Sequence, residues 1–340
     1  MKYRLRQTIP SFSEMKLSNM MDVSLARSIN NQFEQAENIL IVTHIRPDGD
    51  AIGSLLGLGL SLKAHKLNVQ MVSHDGVPVN LGYIAGADQV LKTPDGVYDF
   101  VVILDCSDME RTGGVWNNNI KPDINIDHHP TNNNFAKINL VDSKAVATSE
   151  ILFNLISYAG LPITDGVATA LLTGIVTDTL GFRTSNMTPE VLRISAELMD
   201  KGGNLPELYR RSMVNRSFEA TQFWGIGLNN LEKKDRLVWT TLTIADRKEV
   251  NYPGRDDADL INVLSSIDGA DIAVIFVEQP NEKVKVSWRA QPGFDVSKIA
   301  AQVGGGGHAP ASGAEIDGSI DEVKSKVLKL TSDLLDSNSN

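Results

Sequence analysis

The hydrophobic pattern changes period several times along the chain, and each change marks an element. Over residues 23–36, Leu25, Ile29 and Phe33 recur every four residues, which predicts an amphipathic helix. Ile39-Leu40-Ile41-Val42 follows as an unbroken apolar run, as expected of a strand buried on both faces of a parallel sheet. Further strands are predicted at 69–73, 100–104, 123–126 and 138–141, and helices at 52–65, 145–158 and 165–177. Strands alternating with helices predict an open, mainly parallel α/β sheet for this half.

The pattern then changes character. Residues 189–234 read as helical but more polar, with a break at Gly202-Gly203. Strand character returns at 237–244, 271–277 and 283–288, with helices at 257–267, 295–303 and 319–335. The expected organisation is an α/β catalytic domain over 21–200, a helical connector over 201–234 and a smaller α/β domain over 235–336. Residues 1–20 carry basic residues but no apolar signal core, and read as a loose extension. The polar end, 336–340, should fray.

A length of 340 residues exceeds what one core usually supports, in keeping with two domains. The net charge of −10 argues against coating a long polyanion, yet admits a small phosphorylated substrate held through metals. The single cysteine, Cys106, allows no intrachain disulfide and fits a reducing compartment, so a cytoplasmic location is expected. No segment approaches the roughly 20 apolar residues that span a bilayer, and no membrane partner is expected.

Ligands of open parallel sheets gather beyond the carboxyl ends of the strands. His44, Asp48 and Asp50 fall there after the first strand, Asp105 after the third, and Asp127-His128-His129 after the fourth. Asp178 closes the helix at 165–177, where a carboxylate opposes the helix dipole and needs compensation. Carboxylates with imidazoles suit a pair of hard-to-borderline divalent ions. Each residue also has a plainer reading. Asp48 and Asp50 can cap the following helix, Asp105 can form an Asx turn, and Cys106 reads as a small buried filler. The tandem histidines would divide labour, one ligating and the other touching phosphate, with Asp127 orienting a ring. Arg183 and Thr179 lie close enough in sequence to reach the same place. Gly304-Gly305-Gly306-Gly307 reads as incompatible with regular structure, either a hinge or an anion cradle. With His308, and Ser287-Trp288-Arg289 upstream, it makes a plausible second half of a substrate site.

These motifs, His44-Ile-Arg-Pro-Asp48-Gly-Asp50, Leu104-Asp105, Asp127-His128-His129, Gly174-Ile-Val-Thr-Asp178 and Gly304-Gly-Gly-Gly-His308, resemble those of the DHH phosphoesterases that carry a C-terminal DHH-associated domain. The resemblance covers about residues 21–336. Motif order and size are closest to members that cut short oligoribonucleotides and also remove phosphate from 3′-phosphoadenosine 5′-phosphate. It implies an active site in a cleft between the two domains and two divalent ions, manganese foremost, with magnesium or cobalt as alternatives. His44 and Asp48 would hold one ion, Asp50, His128 and Asp178 the other, with Asp105 bridging. His129 would meet the scissile phosphate. Ser287, Arg289 and Gly304, Gly305, Gly306, Gly307 and His308 would hold the rest of the nucleotide, with Arg183 a further phosphate contact. Short single-stranded RNA and small phosphorylated nucleotides are the implied partners; a homodimer is allowed but not set by the sequence.

One departure stands out: Ala309-Pro310-Ala311-Ser312-Gly313 occupies the place of a basic residue followed by Ala-Ala-Gly, which bears on contacts to a distal phosphate. A phosphodiesterase for cyclic or linear dinucleotides, such as c-di-AMP or pGpG, is the alternative within the same chemistry. A non-catalytic nucleotide sensor is the alternative outside it, and a complete ligand set weighs against that.

Overall fold

The computed structural model describes residues 23–116 and 121–337, so the expected extension at 1–20 lies outside the described residues. The chain divides into two units, one ending at Asn215 and the other beginning at Arg216.

The first unit runs α1 (Val23–Gln35), β1 (Asn38–Val42), α2 (Gly49–Ala64), β2 (Asn68–Val72), β3 (Phe100–Leu104), β4 (Ile124–Asp127) and β5 (Ile138–Val141). Then come α3 (Thr148–Ala159), α4 (Asp165–Asp178), α5 (Pro189–Asp200) and α6 (Leu205–Tyr209), followed by a π-helical turn at Arg210–Val214. The strands form one sheet in the order β2-β1-β3-β4-β5, every pair parallel. Both faces are covered, as the unbroken apolar runs require. Ile39, Ile41, Val102, Leu104 and Ile126 pack into the larger core with the helices. Leu40, Val42, Val101, Ile103 and Cys106 pack on the other face with Tyr98, Trp116 and Phe135.

Helix α2 is buried along almost its whole length because α4 lies unusually close. Its glycines Gly49, Gly53 and Gly57 recur every four residues and so line one face. A Cβ added at Gly53 would lie 2.5 Å from the Ala170 carbonyl oxygen, and one at Gly49 would lie 2.2 Å from Thr177 Oγ1. This stripe brings the start of α2 alongside the end of α4, where Asp50 and Asp178 sit.

The second unit runs α7 (Phe218–Asn229), β6 (Glu232–Lys234), β7 (Leu237–Leu242), α8 (Ile244–Glu249), α9 (Leu260–Leu264), β8 (Ile272–Gln279) and β9 (Lys283–Ala290). It ends with α10 (Ser297–Gln302), β10 (Gly306–His308), β11 (Ala311–Asp317) and α11 (Ile320–Ser337). The sheet order is β10-β11-β9-β8-β7-β6, antiparallel except for the β7–β8 pair. Alternation divides β8 between two cores, whereas the buried apolar residues of β9 all enter one. Val274, Phe276, Val286 and Trp288 meet Val323 and Val327 of α11, and the Trp288 indole donates to Thr331 Oγ1 at 3.2 Å. Ala273, Ile275 and Val277 meet Phe223 of α7 and Leu260 of α9.

Several elements differ from the sequence expectation. Segment 201–234 is helical only as far as Asn229, since Glu232–Lys234 pairs with β7. The strand expected over 237–244 stops at Leu242, because Thr243 and Asp246 exchange side-chain-to-backbone hydrogen bonds and start α8. Strand β11 was not anticipated, its small residues being weak strand formers. It is held by pairing with β9 from Ala311 to Asp317.

The glycine contact gives a test. Gly53→Ala gains about 1 kcal/mol of helix propensity but places a methyl group against backbone, where overpacking costs about 1–3 kcal/mol. Urea denaturation is expected to show a lowered midpoint. A raised one would mean that α2 and α4 do not pack as described.

Candidate metal centre

Because β1, β3 and β4 are neighbours and parallel, their carboxyl ends deliver three loops to one sheet edge. After β1 the chain turns through Arg46 in the left-handed region (φ 53) and buried Pro47. Asp48 then caps α2, its carboxylate accepting from Asp50 N at 3.1 Å and Ala51 N at 3.0 Å. The capping reading of Asp48 therefore holds, and the same carboxylate also takes part in a cluster with His44 and Asp105. Buried His44 has Nδ1 2.8 Å from Ile45 O, which assigns a proton to that nitrogen. Its Nε2 faces Asp105 Oδ2 at 3.3 Å and Asp48 Oδ1 at 3.9 Å.

Asp105 follows β3 in the left-handed region (φ 57), which aspartate tolerates better than most residues. Its carboxylate is shared with a second cluster, made with Asp50 and His128. In each cluster the ligand atoms lie within 4.8 Å of one another. His128 Nε2 lies 3.7 Å from Asp105 Oδ1 and 3.5 Å from Asp178 Oδ2, so Asp178 at the end of α4 reaches the same place. Asp50 is held from behind. Its carboxylate accepts from Thr148 N at 2.6 Å, Ser149 N at 3.0 Å and Ser54 Oγ at 3.3 Å. Those amides open α3, whose N-cap, Ala147, offers no side-chain acceptor.

His129 is oriented differently. Its Nδ1 lies 2.7 Å from Asp127 Oδ1 and 3.6 Å from Asp105 Oδ1. Asp127 is wholly buried, and also accepts from His128 N at 2.9 Å and Asn132 Nδ2 at 2.6 Å. The two histidine rings meet edge to face, with centroids 4.7 Å apart.

So many buried carboxylates cannot all ionise without cost. Burial, then the Asp105 charge, pushes Asp50 up to about 6. Burial, then Asp50 and Asp48, pushes Asp178 well above the carboxylate range. For Asp105 burial also acts upwards, but the hydrogen bond with His44 and the charges of His129, His44 and His128 outweigh it and hold the group well down. Burial lowers His44, His128 and His129, yet their neighbouring carboxylates carry all three above the ordinary histidine value. The cluster thus favours the binding of positive charge, whether protons or cations. Oxygen and imidazole donors at this spacing fit divalent ions.

Arg183 is exposed, its Nε donating to Leu180 O at 2.9 Å, and Thr179 is buried with Oγ1 on Ile175 O at 2.7 Å. In the second unit the glycine run needs a correction: Gly306 and Gly307 form strand β10 instead of an irregular loop. Close approach demands glycine at two of the four positions, since a Cβ at Gly307 would lie 2.6 Å from Ala311 O and one at Gly305 2.2 Å from Gly313 O. Register aligns Gly306, Gly313 and Ser287 in one row, and His308, Ala311 and Arg289 two rows on, beyond Gly307, Ser312 and Trp288. Arg289 Nε donates to Asn262 Oδ1 at 3.1 Å. The Ala309-Pro310 turn is anchored through both carbonyls, which accept from Val296 N at 2.9 Å and Ala290 N at 2.8 Å.

The sequence reading did not single out Thr148, Ser149 or Asn132, all of which touch the carboxylates of the centre. Neutral hydroxyl and amide side chains carry no signal of their own; the only trace was an α3 start without a capping acceptor.

Residues 38–175 match the DHH family N-terminal domain and residues 245–336 the DHHA1 domain. A bifunctional oligoribonuclease and PAP phosphatase NrnA of Thermus thermophilus is 36% identical over 296 residues, covering 86% of this chain and 88% of its own. The chain belongs to the DHH family. A Mycoplasma genitalium protein of the same description is 27% identical over 84% of this chain and 91% of its own. Among solved structures, an exopolyphosphatase-related protein from Bacteroides fragilis superposes with a TM-score of 0.84 at 27% identity, covering 92% of this chain and 96% of its own. This DHH chain is thus similar to them across both of its units.

Asn132→Ala should leave a buried Asp127 oxygen short of a donor, at about 1–3 kcal/mol. A fall in thermal midpoint is expected. An unchanged midpoint would show that Asn132 does not carry the Asp127 carboxylate.

Proposed function

We propose that this DHH protein is a two-metal phosphoesterase, acting in the cytoplasm on short single-stranded oligoribonucleotides, which it cuts to mononucleotides, and on 3′-phosphoadenosine 5′-phosphate, which it converts to AMP and phosphate. The observation that carries the reading is that two His/Asp clusters, His44-Asp48-Asp105 and Asp50-Asp105-His128, are among those that share the buried carboxylate of Asp105. The substrate assignment is supported by the Thermus thermophilus relative, whose similarity extends over most of both chains.

In this reading His44 and Asp48 hold one cation, and Asp50, His128 and Asp178 hold the other, with Asp105 common to both. Such a pair, manganese by preference, supplies Lewis acidity and an acidified water as nucleophile. The protein supplies placement. Asp105 is pinned by its left-handed backbone and by Thr148, so it presents an oxygen to each side. His129, its ring oriented by the Nδ1 contact with Asp127, would meet a phosphoryl oxygen. Asp127 supports that ring and is not itself a ligand. In the second unit, Arg289 and His308, aligned on one face with Ala311 between them, would bind the nucleotide's remaining phosphate or base. Ser287 and Gly304, Gly305, Gly306 and Gly307 would supply polar contacts and close backbone approach. Arg183, exposed near the end of α4, would add a phosphate contact.

The test is a turnover panel of di- and trinucleotide RNA, 3′-phosphoadenosine 5′-phosphate, pGpG and c-di-AMP, with manganese and after chelation. RNA and the bisphosphate nucleotide are expected to turn over, and chelation to abolish both reactions. Asp105→Asn keeps a residue that tolerates left-handed backbone and should lose about a thousandfold in rate at unchanged circular dichroism. Full activity of that variant in manganese would sink the two-cation reading. Exclusive turnover of cyclic dinucleotide would overturn the substrate.

A further inference from the structure

Thr148 stands at the first position of α3, wholly buried, and is bonded to two carboxylates that come from different elements. Its backbone N–H donates to Asp50 Oδ2 at 2.6 Å, and its hydroxyl donates to Asp105 Oδ1 at 3.0 Å. Asp50 opens helix α2, while Asp105 closes strand β3, so nothing in their own elements fixes the distance between them. Both belong to one candidate cation cluster with His128, and Asp105 also belongs to the cluster with His44 and Asp48. Like charges at this range repel, and the chain must hold them in ligand geometry.

We propose that Thr148 is a positioning residue of the paired cation site: it sets the spacing and rotation of the Asp50 and Asp105 carboxylates, and through Asp105 the fit of both cation positions. The inference rests on the two-cation reading above. The helix amide restrains Asp50, as an anion at a helix N-terminus, but does not reach Asp105, whose ion-pair partners among the described residues are imidazoles that a cation would compete with. The hydroxyl joins the second carboxylate to the same residue. Asp105 Oδ2 faces His44 and Oδ1 faces His128, so a rotation of this carboxylate would spoil both sides at once. Supports of this kind behind ligands are worth about 10- to 100-fold in metal affinity.

The side chain can be altered without touching the backbone bond to Asp50. Thr148→Val is nearly isosteric and lacks the donor, Thr148→Ala lacks the donor without crowding, and Thr148→Ser keeps it. Manganese stoichiometry and affinity are measured by titration calorimetry on the full chain. The spin-coupled signal of the manganese pair is followed by electron paramagnetic resonance, and melting curves identify folded variants. The expected result is two manganese ions bound by the parent protein and by Thr148→Ser. Whichever of Thr148→Val and Thr148→Ala is folded should bind about tenfold more weakly, with a weakened coupled signal. Parent-like binding by either of those variants overturns the inference, as does a Thr148→Ser protein as weak as they are. A parent protein that takes up no manganese pair overturns the two-cation reading itself, and this inference with it.

Discussion

Negative charge confined at one sheet edge is the constraint on which the rest of the first unit depends. Asp48, Asp50, Asp105 and Asp178 gather around His44 and His128; Asp50 and Asp105 are buried, Asp178 is partly so, and Asp48 is exposed. No packing of hydrocarbon could stabilise that arrangement. It is stabilised by donors aimed from three directions: the opening amides of α3, the Thr148 and Ser54 hydroxyls, and the imidazoles of His44, His128 and His129. Burial and the neighbouring carboxylates raise the proton affinity of Asp50 and Asp178, and the repulsion behind that shift is the part a pair of cations would take over.

The backbone is arranged around that need. Parallel strand order makes the ends of β1, β3 and β4 neighbours, and the glycine stripe of α2 lets α4 come within backbone distance. The reciprocal glycine on α4 is equally tight. A Cβ at Gly174 would fall 2.0 Å from Ser149 Oγ and 2.6 Å from Asp50 Oδ1. A position that reads as a helix-weakening residue is therefore a requirement of the carboxylate's seat. In the second unit, too, Gly305 and Gly307 near His308 are demanded by close approach.

The chemistry-bearing residues were legible because charged side chains at the ends of apolar runs have few bland explanations when they recur. Asp105 after five apolar residues and the tandem His128-His129 were visible for that reason. Asp48 was harder, since capping and ligation are both served by one carboxylate. Thr148 and Asn132 were invisible, because their roles exist only through partners distant in the chain. Strand β11 was missed for a related reason: its pairing with β9, and not its own composition, makes it a strand. In the opposite direction, Thr243 and Asp246 overrode an apolar run with a purely local exchange of hydrogen bonds.

The uncapped start of α3 has a consequence for the order in which the molecule assembles. Its first amides find their acceptor in Asp50, 98 and 99 positions away in the chain. Contacts of such separation carry a large loop-closure cost and form only once most of the sheet has collapsed. The helix can nucleate by itself, but its first turn stays unsealed until α2 has docked. The reactive edge is therefore completed at the end of folding, and damage to it should hasten unfolding more than it slows folding. For a nascent chain this means that no partly folded form carries a finished hydrolytic centre.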